Sequence, residues 1–70
     1  MAERLGNHLK TLRSDAGLTQ AELAERVGVS RKTINTVENE VFVPSALLAL
    51  KLARALGRAV EAVFFLNDQD

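Results

Sequence analysis

Apolar residues in this chain recur every third or fourth position, and no alternating run is long enough to suggest a sheet. The pattern predicts an all-α fold of four or five short helices. Leu5, Leu9, Leu12 and Ala16 mark one face of a first helix, closed by Gly17; Arg13 lies at the edge of that face as a charge that needs a partner. Thr19-Gln20-Ala21-Glu22 is a capping box, in which the threonine oxygen takes the Glu22 amide and the glutamate reaches back, with Leu18 and Leu23 flanking it as a hydrophobic staple. The second helix runs through AELAERV to Gly28. Ser30 then caps a third helix, and Val29 and Ile34 repeat the staple.

On a helical wheel the third helix divides cleanly. Ile34, Val37 and Glu38 share one side, while Lys32, Asn35, Thr36 and Asn39 take the other and Arg31 projects from the first turn. Arg13 and Glu38 are therefore two opposite charges on faces due for burial, and they are expected to meet as an ion pair fixing helix three against helix one. From Pro44-Ser45 a fourth helix runs to Gly57 with Leu48, Ala49, Leu52, Ala53 and Leu56 inward, leaving Leu47 and Leu50 outside that stripe. A last short helix or turn covers VEAVFFLN, poorly capped by Ala59, and the acidic tail at 67–70 is expected to fray.

Seventy residues make one domain. A chain this short buries only about 60% of its unfolded surface, so self-association would help it. Nine basic and nine acidic residues give no net charge, yet residues 29–37 hold two cations and no acid. Cysteine is absent and His8 is the only histidine, so neither a disulfide framework nor a metal site is expected, and no cofactor or small-molecule ligand is evident. No stretch approaches the roughly 18 to 20 apolar residues of a membrane span, and no signal peptide is visible; a cytoplasmic protein is the expectation. Without paired carboxylates, an activated nucleophile or a metal-ligand cluster, an enzyme is not expected.

Two short helices joined by a turn of about three residues around Gly28 have the spacing of a helix-turn-helix, at residues 20–39. The segment LRSDAGLTQAELAERVGVSRKTINTVEN, residues 12–39, resembles the phage repressor and Cro type of helix-turn-helix regulator, the XRE family, and weaker similarity continues through PSALLALKLARALG to about Phe64. Several independent constraints coincide in the match: Thr19-Gln20 opening helix two, Ala24 where the helices cross, Gly28 in the turn, Ile34 and Val37 inward, and Glu38-Asn39 at the end. The resemblance implies a compact lambda-repressor-like domain, here at residues 9–63, that binds double-stranded DNA as a homodimer with helix three in the major groove.

On that reading Arg31, Lys32 and Thr36 read bases, Thr33 and Asn35 stand next to them, Gln20 and Ser30 hold the backbone at helix starts, and Asn39 holds a phosphate. Lys32 suits a phosphate as well as a base edge. The implied function is a transcriptional regulator, a repressor occupying a pseudo-palindromic operator. A different class of function, a protein-interaction module such as an antitoxin or adaptor in which DNA binding is secondary or lost, stays open. Leu47, Leu50, Val60, Phe64, Phe65 and Leu66 exceed what one small core needs and are the candidate dimer surface.

One segment departs from the family pattern. Where a glycine usually follows Glu-Asn, this chain has Glu40, so helix three is expected to extend or close differently. Val41 and Val43 remove phosphate-binding groups from the same loop, and Phe42 is expected to anchor it from beneath. Binding in the nanomolar range is then expected only for an operator with two half-sites.

Overall fold

The computed structural model describes residues 2–69 and contains five helices and a two-stranded ribbon: β1 Ala2–Asn7, α1 Leu9–Asp15, α2 Gln20–Val27, α3 Arg31–Glu38, α4 Ala46–Leu56, α5 Val60–Val63 and β2 Phe64–Gln69. Leu9, Leu23, Ile34, Val37, Leu52 and Val63 fill the centre, so every helix contributes at least one side chain to a single core. Ala24 is buried with them, its small side chain letting the elements around α2 approach closely. Among the described residues no helix is long and apolar enough to cross a membrane.

The all-α expectation is corrected by the ribbon. β1 and β2 pair antiparallel, with Leu5 opposite Leu66, Gly6 opposite Phe65 and Asn7 opposite Phe64. Leu5 therefore belongs to a strand and not to the first helix, which starts only at Leu9. The cause lies in Gly6 and Asn7. Glycine is a poor helix former, and the Asn7 side chain takes the free amide of Leu9 at 3.0 Å, closing the helix start on that side. The same side chain donates to the Val37 carbonyl at 2.9 Å, so one asparagine joins β1, α1 and the last turn of α3. A Cβ on Gly6 would fall on the Phe65 ring, which lies over this position and stacks against His8 with ring centroids 4.7 Å apart.

At the other end, α5 stops after Val63, and Phe64 turns to extended backbone at φ −119°. The expected helix over VEAVFFLN is thus a single turn followed by a strand. Its start at Ala59 has no side-chain cap, and the Phe64-Phe65-Leu66 run finds a better use pairing with β1. The tail expected to fray at 67–70 continues β2 through Gln69. Asp70 lies outside the described residues.

Thr19 and Glu22 form the capping box: the threonine Oγ1 accepts from the Glu22 amide at 3.0 Å, and the glutamate accepts from the Thr19 amide at 2.9 Å. The Thr19 backbone amide holds the Glu22 carboxyl below its ordinary value, with the Thr19 hydroxyl and the Arg26 charge acting in the same direction. A depressed carboxyl stabilises the fold above its unfolded-state titration range and loses that contribution as pH falls through its folded value. The melting-temperature gap between the native chain and Glu22→Gln should therefore be widest near neutral pH and should close on acidification. An equal gap at both ends of an acid series would exclude the carboxylate as its source.

Candidate nucleic-acid interface

The two helices of the motif are set by matched ends. Ser30 Oγ accepts from the Thr33 amide at 3.1 Å and starts α3, while Gly28 at φ 77° closes α2 and turns the chain toward it. Gly17, Gly28 and Gly57 each occupy the left-handed region just past a helix end. Glu40 does the same after α3 at φ 60°, with its amide on the Val37 carbonyl and the Val41 amide on the Thr36 carbonyl. Without a glycine, α3 still ends at Glu38 and closes through these two backbone bonds. The closure leaves a residue with a Cβ in a conformation that costs about 1 to 2 kcal/mol. Glu40→Gly is expected to stabilise the domain by about 1 kcal/mol, since part of the relief is offset by the freer unfolded chain. A thermal melt below that of the native chain would count against strain at this position.

Behind the outer face of α3 lies a partly buried polar cluster. Glu38 accepts from Arg13 Nε at 2.6 Å and Nη2 at 3.3 Å, and from Gln20 Nε2 at 3.0 Å. Arg13 Nη1 also donates to the Leu18 carbonyl at 2.8 Å. The side chains of Arg13 and Glu38 are only 11% and 3% exposed. Four segments are therefore tied through one ion pair: Glu38 at the end of α3 takes Arg13 of α1 and Gln20 at the start of α2, and Arg13 also holds the Leu18 carbonyl in the loop after α1. The sequence anticipates the Arg13–Glu38 pair but not the tie to Gln20, because a glutamine at a helix start gives no sign of which neighbour its amide will meet.

Of the candidate DNA-binding residues, Arg31, Lys32, Asn35 and Asn39 are exposed, Ser30 lies exposed at the helix start, and Gln20, Thr33 and Thr36 are half-buried. Gln20 and Arg31 line one open hollow of about 580 Å³ between the starts of α2 and α3, together with Thr19 and Ala21. Ser30 Oγ and Thr33 Oγ1 are 3.0 Å apart, the Thr36 hydroxyl donates to the Thr33 carbonyl, and Asn39 Nδ2 donates to Asn35. Asn7 was missed as a support of this helix, since a strand residue near the start of the chain has no pattern linking it to Val37.

The candidate dimer surface divides. Leu47, Leu50 and Leu66 are exposed and Phe65 is partly so, whereas Phe64 is 8% exposed and joins the core, and Val60 packs against it. Phe64 and Val60 are therefore not available as drawn from the sequence; they cover the core where α5 meets the ribbon. Phe42 is 47% exposed and is not the anchor beneath its loop that the sequence suggests; it is absent from the core and from the side chains packed against it. With Leu47, Val29 and Thr33 it lines a groove of about 340 Å³.

A family model described as helix-turn-helix matches residues 9–63. The chain belongs to the helix-turn-helix family. The match is of the XRE type, and members of this family are DNA-binding transcriptional regulators. An uncharacterised HTH-type transcriptional regulator of Methanothermobacter thermautotrophicus is 53% identical over 57 residues, covering 80% of this chain and 83% of that protein. The immunity repressor protein of Bacillus phage phi105 is 34% identical over 59 residues, covering 84% of this chain and 41% of that protein. Among solved structures, the restriction-modification controller protein C.AhdI of Aeromonas hydrophila superposes with a TM-score of 0.73 at 35% identity, covering 77% of this helix-turn-helix chain and 78% of the controller.

Proposed function

We propose that this helix-turn-helix regulator is a dimeric repressor that reads a pseudo-palindromic operator with α3 in the major groove. One observation carries the reading: the outer face of α3 is entirely polar, and its two cations, Arg31 and Lys32, make no ion pair among the described residues. A solvated helix with no ligand gains little from two cations in its first turn, where the macrodipole disfavours them. A phosphate or a guanine edge reverses that sign. Gln20 and Ser30 stand at the starts of α2 and α3, where free amides suit phosphate oxygens, and Asn39 stands at the other end of the reading face. Arg31, Lys32 and Thr36, with Thr33 and Asn35, take the base edges. The immunity repressor of phage phi105 supports the repressor role by similarity.

Dimerisation is supported by exposed apolar side chains on α4 and β2: Leu47, Leu50, Phe65 and Leu66. A two-fold pair would set two recognition helices about 34 Å apart, on successive major grooves. Two measurements test the proposal. Duplex fragments retained from a random pool should converge on a palindromic site, with affinity that falls steeply as salt rises. Light scattering at micromolar concentration should give the mass of two chains; the mass of one chain would remove the dimer, and a pool without enrichment would remove the operator.

The exposed Val41, Phe42 and Val43 favour a second reading, in which the loop after α3 holds a partner protein. On that reading the main activity survives loss of both Arg31 and Lys32.

A further inference from the structure

Two open hollows between α2 and α4 join into one trough. The first, about 570 Å³, lies where the end of α2 meets α4 and is lined by Arg26, Lys51, Arg54 and Ala55, with Glu25 as its one acid. The second is the groove of about 340 Å³ beside Phe42, whose lining includes Val29 and Leu47 and no charge other than Lys51. Val27, Gly28 and Lys51 line both, so the hollows adjoin along the turn that follows α2. One half of the trough is cationic and the other apolar.

Neither half is satisfied within the chain. Among the described residues no carboxylate forms an ion pair with Arg26, Lys51 or Arg54. Arg26 and Arg54 sit in the last turns of α2 and α4, where the macrodipole favours a cation without any ligand. Lys51 has no such support, since it stands midway along α4, half-buried, in the same hollow as both arginines. In the other half Phe42 and Leu47 are 47% and 64% exposed beside the buried Val27 and Leu48. Bulky apolar side chains left in water around a concavity mark a place for a partner.

A nucleic-acid backbone answers only the cationic half. Its phosphates would match Arg26, Lys51 and Arg54 but leave Phe42 and Leu47 in water, and Arg26 stands about 9 Å along the α2 axis from Gln20, at the far end from the helix starts. We infer that the trough is a docking surface for an acidic peptide segment of a partner protein, with a bulky apolar side chain seated beside Phe42 and Leu47 and carboxylates set along Lys51, Arg26 and Arg54. The carboxylates steer the segment in and fix its direction; the apolar anchor slows its release. The geometry rests on neither reading of α3, so selection of an operator and selection of a peptide succeed or fail separately.

Short random peptides displayed and selected against the full chain should converge on sequences that combine acidic residues with an aromatic or leucine anchor. A fluorescently labelled peptide of that consensus is then the probe. Its affinity should fall about tenfold or more with Lys51→Glu and Arg54→Glu together, and by a similar factor with Phe42→Ser. Lys51→Gln with Arg54→Gln should give a smaller loss in the same direction, which keeps the test decisive should charge reversal disturb the fold. An unchanged melting temperature checks each variant. No consensus, an acidic consensus without an apolar anchor, or a probe bound equally by all variants would overturn the inference. So would cation variants that weaken operator binding as much as probe binding, which would assign these side chains to a nucleic-acid backbone. A light-scattering mass that falls from two chains to one in the same variants would overturn it in favour of a second copy of this chain.

Discussion

Glu38→Ala is expected to leave the domain largely unfolded at physiological temperature. The substitution removes the carboxylate that pairs with Arg13 and accepts from Gln20, and it strands a guanidinium that is only 11% exposed. Removing one partner of such a pair costs about 3 to 5 kcal/mol, because the surviving charge keeps its desolvation penalty and loses its compensation. For a domain of this size that corresponds to a fall in melting temperature of roughly 15 to 30 °C. Small domains sit near the low end of the usual range of about 5 to 15 kcal/mol, so a loss of this size consumes most of the margin. Glu38→Leu combined with Arg13→Met should recover much of the stability, since both charges are then gone and their volume is kept. Circular dichroism melts of the single and double variants decide the matter. A Glu38→Ala melt within a few degrees of the native one would mean that water reaches Arg13 freely.

Arg31→Ala with Lys32→Ala should have the opposite signature, with DNA affinity reduced about 100-fold or more and the fold intact. Both residues are exposed, and substitutions at such positions usually change stability by no more than about 0.5 kcal/mol. Each good base contact contributes about 1 to 3 kcal/mol of discrimination, and each lost phosphate contact lowers the salt dependence by about one unit of slope. Fluorescence anisotropy against the selected operator at two salt concentrations separates these effects. Undiminished binding by the double variant would mean that residues other than Arg31 and Lys32 hold the DNA.

The two variants also mark where sequence alone was informative. The ends of α2 and α3 were legible because capping is local: Thr19, Glu22, Gly28 and Ser30 act within a few residues of themselves. The Arg13–Glu38 pair was legible because two opposite charges on apolar faces have few other ways to be satisfied. The ribbon was not. Its strands lie at opposite ends of the sequence, neither AERLGN nor FFLNDQ alternates apolar with polar residues, and Leu5 happens to fall in phase with the helix that follows. Phe64 was misassigned to the surface for the same reason, since without the ribbon there was no account of what it covers. Glu40 was recognised as an anomaly, but its outcome depended on whether backbone hydrogen bonds outweigh local strain; two amides closing onto Val37 and Thr36 show that they do.

The ribbon also bears on how the molecule assembles and carries load. Pairing residues 2–7 with 64–69 closes a loop of almost the whole described chain, and contacts of such long sequence separation form after local ones. On that ground the helices are expected to come together first and the ribbon to fasten last, bringing Asn7 to the Val37 carbonyl. Any segment attached beyond either strand leaves from the same side of the molecule, and tension on it is borne first by a two-stranded clasp tied to the final turn of α3. Strain applied at the chain's ends is delivered, through Asn7, to the last turn of α3.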